Sequence, residues 1–151
     1  DYLPLDSFEH VATGPFTHLY PKKGYTETAY KILKKVPHIT VYKKADVPAR
    51  LHFGSSSRIG ELVVLADLGT QIFFRPEVLP ASFLAAGHGF DNKHPEMLAV
   101  FKAVGPDFEA GRHIKSPIPN ITLYPLVCRI LGLHPGKHDA DSSLAYSLLK
   151  K

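Results

Sequence analysis

The sequence predicts an α/β protein with a short mixed sheet and flanking helices. Three observations carry this expectation. Residues 16–20, 38–44 and 61–67 are rich in β-formers, and the first two alternate apolar with polar residues. Residues 25–36 repeat apolar side chains at helical spacing, and so do residues 120–131. The 13 prolines and 11 glycines punctuate these runs, which favours many short elements over long helices.

In chain order, Phe16-Thr17-His18-Leu19-Tyr20 reads as a strand, and residues 21–24 as a turn. The helix over 25–36 has Thr26 as its N-cap and places Ala29, Ile32, Leu33 and Val36 on one face. Lys31, Lys34 and Lys35 lie towards its C-terminal end, where the helix dipole favours cations, and Pro37 stops it. A strand over 38–44 follows. Residues 47–53 are short and broken by Pro48, and residues 54–57 form a turn. Leu62-Val63-Val64-Leu65-Ala66 reads as a buried strand, Leu68-Gly69 as a turn, and 71–74 as a returning strand, giving β-α-β-β-β.

Residues 75–83 read as irregular, and Gly87-His88-Gly89-Phe90-Asp91-Asn92 as a glycine-rich loop. The apolar run at 97–104 suits either a strand or a helix. In the helix over 120–131, Ile121, Tyr124, Leu126, Val127, Ile130 and Leu131 form a wide apolar face. Gly132 sits at its C-terminal cap, and Pro125 is tolerated near its first turn. The tail from 134 is polar, then carries Leu144, Tyr146, Leu148 and Leu149. There is no internal repeat and no low-complexity segment.

A chain of 151 residues has one domain's length and can bury a core without disulfide or metal staples. Its 44% hydrophobic and 21% charged residues argue against disorder and against a coiled coil. No apolar run approaches the roughly 20 residues of a membrane helix. The single cysteine, Cys128, excludes an internal disulfide framework. Net charge is +4, with lysines in small pairs such as Lys22-Lys23 and Lys43-Lys44. The pairs make a mildly basic surface, and no nucleic-acid-binding motif surrounds them.

The nine histidines raise the question of a metal site. Glycines on both sides of His88 let the backbone bend tightly and leave the imidazole accessible, which suits metal ligation or proton transfer. A turn histidine that hydrogen-bonds its own loop fits the same residues, and composition alone leaves both readings open. His94, His113, His134 and His138 lack zinc-site spacing and read as surface histidines; Pro135 and Gly136 break the one i, i+4 interval. Cys128 reads as a small buried hydrophobe on its helix.

The order of motifs resembles the C-terminal part of the nucleotide pyrophosphatase/phosphodiesterase family, of the alkaline phosphatase superfamily. The run Gly87 to Asn92, then Met97, then Phe101-Lys102-Ala103-Val104-Gly105-Pro106-Asp107-Phe108 is its most specific part. Asn120-Ile121, Tyr124-Pro125-Leu126-Val127 and Leu131-Gly132-Leu133 continue it. The segments 37–44, 48–52 and 58–67 look like the stretch this family places between its Asp-His-Gly motif and its last metal-binding histidine.

The resemblance implies a hydrolase with two zinc ions, acting on nucleotide-type or related phosphodiesters. His88 matches the loop position that supplies one zinc ligand, and Asp91 and Asn92 would support that ligand from beside it. Residues 1–83 would be an inserted α/β subdomain and 84–151 the C-terminal part of the core. The family's nucleophilic Thr or Ser, its other ligands and its Asp-His-Gly motif have no match here; Asp67-Leu68-Gly69 is not that motif. The chain begins at Asp1 without an initiator Met, and the expectation is a C-terminal piece of a larger enzyme, itself inactive and weak in zinc binding. Family members are exported, periplasmic or extracellular. A stand-alone binding or structural module, or a phosphomonoester or phosphonate hydrolase of the same superfamily, are the alternative readings.

Overall fold

The computed structural model describes residues 3–10, 13–74 and 87–150. They divide into two compact units, Asp1–Leu98 and Ala99–Lys151. The expected boundary at 83/84 and the irregular stretch 75–83 lie outside the described residues.

The first unit is built on four strands: β1 (Phe8–His10), β2 (Phe16–Pro21), β3 (Ile39–Lys43) and β4 (Leu62–Ala66). Helix α1 (Thr26–Leu33) connects β2 to β3. The sheet order is β1-β2-β4-β3, and every described pairing is antiparallel, which sharpens the expected mixed sheet. β4 lies between β2 and β3, with Val64 opposite both Thr17 and Val41. All five of its residues are buried, which is why it reads as an unbroken apolar run instead of an alternation. Leu19, Leu62, Val64 and Val41 meet Ala29 and Leu33 of α1 in the core, with Phe8 beside them.

Three local expectations are corrected. Tyr25, not Thr26, flanks the start of α1, and no side chain caps it; the Tyr25 ring packs edge-on against Phe8 at 5.8 Å. The helix ends at Leu33, because Lys35 and Val36 close i→i+3 hydrogen bonds that tighten the chain before Pro37. The strand expected at 71–74 is a single bridge, in which Gly14 and Ile72 exchange two backbone hydrogen bonds of 3.0 Å.

Gly60 precedes β4 against the backbone of β2. A Cβ there would lie 2.2 Å from the Leu19 carbonyl oxygen. Its N–H donates to His18 Nδ1 at 3.0 Å, so a bare backbone is required at this crossing.

The second unit holds α2 (Leu123–Ile130) and α3 (Ser142–Ser147). A 3-10 turn at Asn120–Thr122 leads into α2, and Pro125 lies in its first turn. At the other end the Gly132 N–H donates to the Arg129 carbonyl and the Leu133 N–H to the Cys128 carbonyl, with Gly132 at φ +68°. This is a Schellman cap, as the glycine led one to expect. Helix α3 was not foreseen. Its signal was Asp141-Ser142-Ser143: the Asp141 carboxylate accepts from the backbone N–H groups of Ser143 and Leu144. Leu126, Ala145 and Leu148 form the core between α2 and α3. Cys128 is buried, as expected.

Residues 98–104 form neither strand nor helix. Val100 is 94% exposed and Val104 85% exposed. An apolar strand is stable only when its backbone groups and one face are covered, and no described strand pairs with this segment.

Candidate metal-ligand loop

The loop 87–92 belongs to the first unit. Gly87, His88 and Gly89 are exposed, and His88 therefore presents its imidazole to solvent. Gly89 adopts φ +97°, a left-handed conformation that favours glycine, and a Cβ there would lie 3.2 Å from Pro15 Cγ. Pro15 in turn accepts the Ala66 N–H through its carbonyl at 2.8 Å, so Gly89 passes close to a residue tied to β4.

Asp91 is 8% exposed, and a carboxylate at that depth needs partners. Arg50 supplies them, donating from Nη1 to Oδ1 at 2.7 Å and from Nη2 to Oδ2 at 2.6 Å. Such a two-pronged pair is geometrically specific as well as strong. Arg50 Nη1 also donates to Asn92 Oδ1 at 3.2 Å. The Lys93 N–H donates to Asp91 Oδ1 at 3.0 Å, and the His94 N–H to the Asp91 carbonyl at 3.1 Å. The Arg50 hydrogen bonds, assisted by the Lys93 N–H, hold the Asp91 carboxyl well below the usual carboxylate range against the opposing effect of burial. Both carboxylate oxygens are thus taken up by cationic and backbone donors.

The structure brings Asp91 and Asn92 together with Arg50, a residue the sequence did not single out. No spacing rule links positions 41 apart. The usable signals were the 3-10 turn chemistry after Pro48 and the need of any carboxylate near a glycine loop for a cation. His94 and His138 are partly buried, whereas His113 and His134 are exposed. His138 Nδ1 accepts the Ala140 N–H at 3.1 Å, and its ring lies edge-on to Tyr124 at 5.6 Å.

Among the described residues, no group of three or more His, Cys, Asp or Glu side chains stands close enough to hold a metal ion. Catalytic zinc takes three protein ligands and keeps an open position. The described residues offer His88 as one accessible imidazole; by themselves they do not fit a complete zinc centre.

Residues 1–91 match the model of the type I phosphodiesterase / nucleotide pyrophosphatase family. The chain is 37% identical over 144 residues to ectonucleotide pyrophosphatase/phosphodiesterase family member 7 of Rattus norvegicus, covering 95% of this chain and 32% of that protein. It is 39% identical over 122 residues to the bis(5'-adenosyl)-triphosphatase of Bos taurus, covering 80% of this chain and 26% of the relative. The solved structure of human ectonucleotide pyrophosphatase/phosphodiesterase 5 superposes with a TM-score of 0.89 at 32% identity, over 99% of this chain and 39% of the other.

The chain belongs to the type I phosphodiesterase/nucleotide pyrophosphatase family, within the alkaline phosphatase superfamily. It spans about a third of the length of the curated relatives it matches. No helix among the described residues is long and apolar enough to cross a membrane.

Proposed function

We propose that this chain is a segment of a zinc-dependent hydrolase of phosphodiester or pyrophosphate bonds in nucleotide-type substrates. In this reading His88 supplies one imidazole to a zinc centre whose other ligands, and whose hydroxyl nucleophile, come from family sequence outside these 151 residues. The observation that carries it is the exposed His88 on a loop held by the Arg50–Asp91 pair, in a chain matched along 95% of its length by a phosphodiesterase relative. Bound zinc would supply Lewis-acid stabilisation of charge at phosphorus. What this chain contributes is a presented imidazole on a backbone whose flanking glycines leave room for it.

The same reading assigns residues 1–83 to an inserted α/β subdomain and 84–151 to the C-terminal part of the hydrolase core. The second unit supports a larger fold. Ile121, Tyr124, Val127, Ile130, Leu131 and Leu133 are exposed although all are apolar or aromatic. A helix that is apolar on nearly all sides belongs in an interior. The mildly basic balance is consistent with an anionic substrate. The relatives' names as ectoenzymes support a place outside the cytoplasm.

Replacement of His88 by Ala in the complete protein tests this. The expected result is loss of zinc-dependent hydrolysis of a nitrophenyl phosphodiester with the fold retained, and no turnover by the 151-residue chain alone. Full activity of His88→Ala, or robust zinc-dependent turnover by the chain alone, would overturn the reading. Preference for a dianionic monoester over the diester would move the assignment to a phosphomonoesterase of the same superfamily.

A further inference from the structure

We propose that Arg50 is the positioning residue of the His88 loop, and this rests on the reading of His88 as a metal ligand. The loop has little stiffness of its own, because two of the residues around His88 are glycines. It is held at two places among the described residues. Gly89, the residue after His88, passes close enough to Pro15 that a Cβ there would lie 3.2 Å from Pro15 Cγ, and Pro15 is tied to Ala66 at the end of β4. On the C-terminal side Arg50 grips two successive residues, the Asp91 carboxylate with both prongs and the Asn92 carboxamide with one.

Arg50 is itself held. It sits in the 3-10 turn Ala49–Leu51, where the Leu51 N–H donates to the Pro48 carbonyl and the His52 N–H to the Ala49 carbonyl, both at 3.0 Å. His52 then closes the turn in the left-handed region at φ 48°. The guanidinium is planar and its fork matches a carboxylate edge to edge, so it sets the direction of the Asp91 side chain as well as its distance. Asp91 lies three residues after His88, and its backbone turn is completed by the His94 N–H. Misdirecting Asp91 therefore moves the segment that carries the imidazole. A metal ligand tolerates little such error, and partners that orient ligands are typically worth 10–100-fold in metal affinity.

The test pairs amide hydrogen exchange with zinc affinity. In the 151-residue chain, Arg50→Gln is expected to speed exchange of the hydrogen-bonded Lys93 and His94 amides, while the β4 amides keep their protection. Arg50→Lys, which keeps charge but has one prong, is expected to fall between. In the complete protein, Arg50→Gln is expected to weaken zinc binding by about 10–100-fold, with partial rescue by Arg50→Lys. Unchanged loop exchange, or a loosened loop with unchanged zinc affinity, would overturn the proposal. If Arg50→Gln also strips protection from β4, Asp91→Asn takes its place, and its failure to speed exchange at Lys93 and His94 overturns the proposal equally. His88→Ala separates the two levels. If it loses zinc while Arg50→Gln keeps it, His88 stands and Arg50 falls; if it keeps zinc, the metal reading itself falls.

Discussion

Arg50 and Asp91, 41 residues apart, are joined by two hydrogen bonds of 2.7 and 2.6 Å that use both guanidinium Nη atoms and both carboxylate oxygens. The pair couples the turn after β3 to the loop that bears His88.

This pairing makes stability depend on acid. The Asp91 carboxyl is depressed in the folded protein, chiefly by Arg50, so its contribution is fully present above the unfolded carboxylate value of about 4. It is lost as pH falls below that value and through the lower folded one. Urea midpoints measured from pH 7 to pH 2 are expected to hold steady and then drop below about pH 4. In Asp91→Asn that drop is expected to shrink, and an identical acid profile in the variant would contradict the assignment.

Gly60 has no room for a side chain. An alanine Cβ would stand 2.2 Å from the Leu19 carbonyl oxygen and 2.7 Å from its carbonyl carbon, both rigid backbone. Gly60→Ala is expected to destabilise the first unit by about 3 kcal/mol, the upper part of the overpacking range. Denaturant unfolding followed by circular dichroism measures it.

Thr17 is 1% exposed on the core face of β2, opposite Val64, and its hydroxyl has no hydrogen-bond partner among the described residues. An unpaired buried hydroxyl keeps its desolvation cost without return. Thr17→Val preserves the branched shape and removes that cost, so a gain of about 1 kcal/mol is expected. A loss in thermal or urea unfolding would show that the hydroxyl is satisfied.

Val127 lies on the exposed face of α2. In the 151-residue chain Val127→Glu is expected to leave helix content unchanged and to reduce self-association in sedimentation. In the complete protein the same change is expected to lower the thermal midpoint, since a charge would then face an apolar contact. Equal stability of the complete variant and wild type would show that this face stays in solvent.

Much of this was legible from local pattern. β2, α1, β3 and β4 follow the expected periodicities, and Gly132 marks the end of α2. Segment 97–104 was ambiguous because an apolar run does not state its own partner. Strand 71–74 dwindled to one bridge because pairing is decided by a neighbour and not by propensity. α3 escaped notice because it is six residues long and its cap, Asp141, sits in a polar tail.

By itself the sequence determined the α/β class, the buried centre of the sheet and the glycine-flanked His88, all of which rest on contacts between near neighbours along the chain. Only the tertiary structure decided that the strands run antiparallel around β4, that Gly60 crosses against Leu19, and that Arg50 is the partner of Asp91. Those relationships join residues tens of positions apart. Their selection depends on which backbones pack and which buried charge must be met, and neither is written in a local period.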